Sequence, residues 1–174
     1  TSLEDAIAFE PDAAILANPA SKHLEVMKIL AESGIHLLIE KPITTSSNDV
    51  QTLIDFCHKK KVVLMTAYNL RFLPSLQEFN RQLKQKKIGK ILSVRCEVGQ
   101  YLPNWRLGKD YRKTVSAQKK LGGGALLELS HEIDYLSWIF GPIKWVKSNV
   151  SKQSDLEIDV EDTANIIFGF EKLS

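Results

Sequence analysis

The stretch PDAAILANPASKHLEVMKILAESGIHLLIEKP, residues 11–42, decides the fold. A short apolar run, Ala13 to Ala17, precedes a segment in which Leu24, Met27, Leu30 and Ala31 recur at helical spacing. Gly34 and a second apolar run, Ile35 to Ile39, follow. Short continuous apolar runs on either side of an amphipathic helix are the pattern of a βαβ unit, whose parallel strands are buried and need no polar alternation. Ser21 reads as the N-cap of a helix over 22–33 and Gly34 as its stop.

Outward from this unit, residues 3–9 look like the tail of a helix. Ser46 with Asp49 resembles a capping box, opening a helix whose apolar face is Val50, Leu53, Ile54 and Cys57. The basic run His58-Lys59-Lys60-Lys61 suits the end of that helix and reads as solvated. Val62 to Ala67 predicts a third strand, and residues 74–87 another helix closing at Gly89. From there the pattern changes. Ile91 to Val98 predicts an alternating strand, 99–123 a long polar loop, 125–140 a helix, and Ile143–Ser151 and Thr163–Phe170 two further strands. The expected fold class is therefore α/β plus α+β, a parallel sheet followed by a mostly antiparallel one, with the boundary within 69–90.

With 174 residues, 23 Lys plus Arg against 21 Asp plus Glu and a net charge of +2, no strong field favours nucleic acid or an anionic membrane. Small-molecule partners are expected. No apolar run approaches the ~18 residues of a transmembrane helix, and no secretory signal is visible. Cys57 and Cys96 lack metal-ligand spacing, so both are expected as buried, reduced thiols, with no metal site and a cytoplasmic location. The chain starts at Thr1 and ends just inside an apolar run, so both ends are expected to be cut.

Chemistry concentrates in three strand-end loops: Ala17-Asn18-Pro19, Glu40-Lys41-Pro42 and Tyr68-Asn69-Leu70-Arg71-Phe72. Ligands of open parallel sheets bind at the carboxyl ends of strands, so these loops would line one edge. Lys41 is held extended by the following proline and can serve as proton donor or clamp, or be an ordinary exposed lysine. A second group is Gly122-Gly123-Gly124 followed by Glu128, His131 and Tyr135, which one continuous helix would place on one face. A carboxylate beside an imidazole suits proton transfer, or is a plain surface pair. The three glycines do not satisfy GxGxxG, since position 127 is Leu; they permit close approach of a ligand or a flexible helix entry. Trp105-Arg106 offers a flat apolar surface beside a planar cation, or an anchor for the loop.

In order, Asn-Pro-x-x-x-His, Glu-Lys-Pro, Tyr-Asn-x-Arg-Phe, Trp-Arg, the triple glycine, an acid and His-x-x-Asp resemble the Gfo/Idh/MocA oxidoreductase family over nearly the whole chain. The resemblance implies that residues 1–72 are the C-terminal portion of a Rossmann dinucleotide-binding domain. Residues 73–174 would be an incomplete α+β substrate and oligomerisation domain. It implies NAD or NADP as cofactor and hydride transfer between nicotinamide and a sugar or sugar-derivative hydroxyl or carbonyl, with surface-polysaccharide sugar metabolism as the implied setting. A homo-oligomer through the C-terminal sheet is also implied. Lys41 would contact the reacting hydroxyl and His131 act as acid/base with Glu128. Asn18, Pro19, His23, Glu40, Lys41, Pro42, Asn69, Trp105 and Arg106 would border the cofactor, and Arg71 and Tyr135 the substrate. The glycine-rich βαβ unit with which the family begins is not in this sequence. A glycoside-cleaving relative and a non-catalytic subunit of the same fold are the alternatives.

Overall fold

The computed structural model describes residues 2–171, which fall into two compact units. The first comprises the chain up to Ala67 together with Lys120–Gly122, and the second Tyr68–Lys119 and the chain from Gly123 onward.

The first unit runs α1 (Leu3–Ala8), β1 (Ala13–Leu16), α2 (His23–Glu32), β2 (His36–Ile39), α3 (Val50–Lys60) and β3 (Leu64–Thr66). The strands pair in parallel in the order β1-β2-β3, with Leu16 beside Ile39 and Ile39 beside Thr66. Leu16, Leu37 and Ile39 of the sheet close on Met27, Leu30 and Ala31 of α2 and on Leu53 and Cys57 of α3, forming the core. Leu3 and Ile7 of α1 pack at its margin. Alternation sends the neighbouring residues to the other face, where Ile15, Leu38 and Met65 line up across the three strands. Ile15 is 74% and Met65 46% exposed, so this face is open.

The helix ends differ from the sequence reading in instructive ways. Ser21 is not an N-cap: it lies within a 3-10 turn, Ala20–Lys22, that runs into α2, so its backbone is already helical. Gly34 does stop α2, at φ +79°. The capping box at Ser46 and Asp49 does not form. Asp49 itself precedes the helix in a left-handed conformation, φ 61°, while Ser46 Oγ accepts from Asn48 N at 3.1 Å.

The second unit opens with a 3-10 turn, Asn69–Phe72, and α4 (Pro74–Lys84), with proline in the first turn where no amide hydrogen is needed. Residues 91–100 follow without regular secondary structure or ladder bonds, contrary to the strand expected over 91–98. A run becomes a strand only beside another, and here this run and β5 both line a cavity of about 1300 Å³, through Val94, Val98, Ile166 and Phe168 among others. The 99–123 stretch contains α5 (Leu102–Trp105) and short 3-10 turns. The helix expected over 125–140 is broken at Leu129 into α6 (Ala125–Glu128) and α7 (Ser130–Phe140). Strands β4 (Ile143–Ser151) and β5 (Thr163–Phe170) pair antiparallel, and Phe140 meets Phe170 at 5.8 Å between ring centres. Cys96, expected buried, is exposed; Cys57 is buried in the first unit.

The β4–β5 connection is gathered by one carboxylate. Asp162 accepts from Gln153 N at 2.8 Å, Ser154 N at 3.0 Å and Thr163 Oγ1 at 2.9 Å, and also from Ser154 Oγ. Burial alone would raise its pKa, but the hydrogen bonds from Ser154, Gln153 and Thr163 outweigh burial and lower it. A depressed carboxyl stabilises the fold above the unfolded range near ~3.9, and this contribution is lost as pH falls toward the folded value. Asp162→Asn should cost about 1–3 kcal/mol in urea unfolding at pH 7, with the gap to wild type narrowing at acid pH.

Candidate functional site

In the first unit the candidate residues gather where the parallel ladder ends. Its last bond between β1 and β2 is Glu40 N to Leu16 O, at 2.9 Å. Beyond it the chain leaves as Ala17-Asn18-Pro19 on one strand and Glu40-Lys41-Pro42 on the next, both at the carboxyl edge because the strands are parallel. Asn18, Pro19, Lys41 and Pro42 are half-buried and Glu40 is exposed. Asn18 Oδ1 is buried with no hydrogen-bond partner among the described residues, an acceptor that the protein's own donors leave unmatched.

His23, expected to border a cofactor, is instead 1% exposed. Its Nδ1 lies 3.0 Å from Pro42 O and 3.2 Å from Ile43 O, and its Nε2 lies 2.9 Å from Asn18 O. Both ring nitrogens face backbone, so the ring stands behind the loops rather than at their surface. Nearby, a Cβ on Gly122 would come within 2.5 Å of Thr45 Cγ2, at φ +87°.

The second unit holds the remaining candidates around α7. Arg71, in the turn after Tyr68, donates through Nε at 2.8 Å and Nη2 at 2.6 Å to the two oxygens of Asp134, a bidentate pair that raises the Arg71 pKa. The Asp134 side chain is 9% exposed, against 42% for Arg71. Three residues before Asp134 on the same helix, His131 meets the edge of Tyr68, with ring centres 5.7 Å apart and planes at 83°. The 68–72 turn is thus held to the α7 face bearing His131 by an ion pair and a ring contact. Asn69 is exposed on that turn.

Glu128 does not share a continuous helix with His131, because the break at Leu129 puts it on α6, where its Oε1 accepts from the buried Ser116 hydroxyl at 3.0 Å. Tyr135 meets Cys96 Sγ at 2.9 Å; burial first, and this contact second, push its phenol above the ordinary value. Trp105 is half-buried at the end of α5 and Arg106 is exposed.

Gly123 is demanded by packing and Gly124 by its backbone, at φ +108°. A Cβ at Gly123 would lie 2.2 Å from Val115 O, and at Gly124 2.3 Å from Glu161 Oε1. Glu161 takes the amides that follow, Ala125 N by its carbonyl and Leu126 N by its carboxylate, each at 3.0 Å. The amides of Ala125 and Leu126, which a phosphate at this helix start would need, are therefore occupied by the protein. Sequence reasoning missed Asp134 as the partner of Arg71, although its i+3 spacing from His131 marked it as sharing that face. Nothing in the sequence marked Ser116 or Glu161.

Comparison with known proteins agrees with this architecture. Residues 1–68 match the family model described as oxidoreductase family, NAD-binding Rossmann fold, and residues 76–173 match the GFO/IDH/MocA C-terminal domain. A levoglucosan dehydrogenase of Pseudarthrobacter phenanthrenivorans is 30% identical over 138 residues, covering 78% of this chain and 35% of that protein. The NADP-dependent scyllo-inositol 2-dehydrogenase of Bacillus subtilis is 28% identical over 162 residues, 92% of this chain and 48% of that one. A dehydrogenase from Chromobacterium violaceum, solved with NADH and UDP-GlcNAcA, superposes with a TM-score of 0.84 at 25% identity, covering 98% of this chain and 49% of that chain. The chain spans less than half the length of these relatives. Among the described residues no helix is long and apolar enough to cross a membrane.

Removing the Arg71 fork should leave the Asp134 carboxylate sequestered without its two charged donors. Arg71→Leu is expected to cost about 1.5–3 kcal/mol by urea unfolding, and Arg71→Lys less, since an ammonium restores the charge without the fork.

Proposed function

Because this chain belongs to the Gfo/Idh/MocA oxidoreductase family, we propose that it forms part of an NAD- or NADP-dependent dehydrogenase acting on a hydroxyl or carbonyl of a sugar or sugar derivative. The observation that carries the reading is the carboxyl edge of the parallel sheet, where Asn18 and Lys41 leave adjacent strands side by side. The residues there fit the nicotinamide half of such a cofactor: the unmatched acceptor Asn18 Oδ1 suits a donor, and Glu40 adds further acceptors. Pro19 and Pro42 stiffen the two loops. When bound, the cofactor supplies the hydride acceptor or donor, and the chain supplies position and proton management.

In this reading Lys41 contacts the oxygen of the reacting hydroxyl, its ammonium favouring the alkoxide character that develops as hydride leaves carbon. His131 takes or returns the hydroxyl proton, a task suited to an imidazole near neutral pH. The contact with Tyr68 and the Arg71–Asp134 pair fix the ring's helix for that task. Glu128, three residues before His131, is the carboxylate assigned with it to that proton transfer, and Asn69, Trp105, Arg106 and Tyr135 border cofactor or substrate. The substrate is a sugar of surface-polysaccharide metabolism, acidic or nucleotide-linked, a class supported by the Chromobacterium relative. The protein works in the cytoplasm as a homo-oligomer built through its C-terminal sheet.

The test is turnover in the encoded protein with NAD and NADP across a panel of sugars, sugar acids and nucleotide sugars. Lys41→Met and His131→Ala should each lower kcat about 10²-fold or more while cofactor affinity changes little. Near-normal turnover in either variant would remove that residue from the chemistry.

A further inference from the structure

His23 is among the most deeply buried side chains described, yet it is polar and packs at the very start of α2. What it touches is unusual: three backbone carbonyls, all from the two strand-end loops, with Asn18 on one side of the ring and Pro42 and Ile43 on the other. Carbonyls only accept, so every hydrogen in this cluster comes from the ring. A neutral ring donates to one loop at a time and a doubly protonated ring to both.

The backbone cannot make this connection for itself. The ladder ends at Glu40 N to Leu16 O, and the residues that follow include Pro19 and Pro42, which carry no amide hydrogen. Past the ladder, two loops that must hold a constant spacing would otherwise be free to splay. The His23 ring is itself immobilised, because α2 sends Met27, Leu30 and Ala31 into the core within the next two turns.

We propose that His23 is a positioning residue: its buried ring, set between Asn18 O on one side and Pro42 O and Ile43 O on the other, ties the Asn18 and Lys41 loops to the core and holds their spacing, presetting the edge that receives the nicotinamide. This rests on the reading of that edge as the cofactor site, but the clamp itself does not. His23 then never touches cofactor or substrate, and acts only through the carbonyls it holds.

The experiment separates clamp from cofactor site. Hydrogen exchange is followed by mass spectrometry in the cofactor-free encoded protein, on peptides covering 17–23 and 40–45 and on core peptides covering 24–31 and 51–57. His23→Phe keeps a flat ring without donors, and His23→Gln is the milder variant should Phe fail to fold. Exchange at both loop segments is expected to rise about tenfold with the core peptides unchanged. Wild-type rates at the loops, or an equal rise throughout the core, would overturn the clamp and leave His23 a packing residue. NADH and NADPH fluorescence titrations on the same proteins should show affinity about tenfold weaker than wild type. Loosened loops with undiminished affinity would overturn the positioning role. Failure of the wild type to bind either cofactor would instead sink the reading of the edge while the exchange data still decide the clamp.

Discussion

The ladder that seats β2 between β1 and β3 is the constraint on which the first unit depends. Parallel pairing forces all three strands to finish on the same edge, so whatever leaves the sheet there does so side by side. With Leu16 in register with Ile39, Asn18 and Lys41 depart two residues later on adjacent strands. The covered face, packed on α2 and α3, makes that register costly to change, since a slip of one residue would turn Leu37 and Ile39 out of the core and bring Leu38 in. The chemistry of the edge is in this sense a by-product of burial on the opposite side of the same residues.

The second unit achieves fixity by other means. Among the described residues its strands are the antiparallel pair β4–β5, and side chains take over where a ladder is lacking. Arg71 and Asp134 fasten the 68–72 turn to α7, Asp162 gathers the β4–β5 connection, and Glu161 caps α6. Gly123 is needed because the Val115 and Ser116 carbonyls come too close for any Cβ, and Gly124 because its backbone takes φ +108° beside the Glu161 carboxylate. The three consecutive glycines are thus a record of crowding and of backbone conformation rather than of flexibility.

Elements whose signal is local were legible in the sequence. The apolar runs of β1 and β2 and the stop at Gly34 follow from burial pattern and turn chemistry, and the bounds of β4 and β5 from their β-rich composition. What was not legible depends on neighbours remote in the chain. Residues 91–98 carry a strand-like alternation, but alternation states a preference and pairing requires a partner. Ser21 and Ser46 have the right chemistry for caps, yet the backbone around each took another conformation and left the cap unmade. The break at Leu129 is invisible because Ala125–Phe140 is apolar at helical spacing throughout. At the candidate site, the order of motifs pointed to the strand-end loops, whereas a histidine looks the same in sequence whether it faces a ligand or a cluster of carbonyls. Its burial had to be seen.

The central claim is that the nicotinamide half of the cofactor lies against the edge bearing Asn18 and Lys41. A crystal structure of the encoded protein grown with NADH or NADPH tests it directly. The account predicts the nicotinamide in contact with both side chains, with the Asn18 carboxamide oxygen acquiring the partner it lacks here. A cofactor bound with its nicotinamide away from both loops would contradict it.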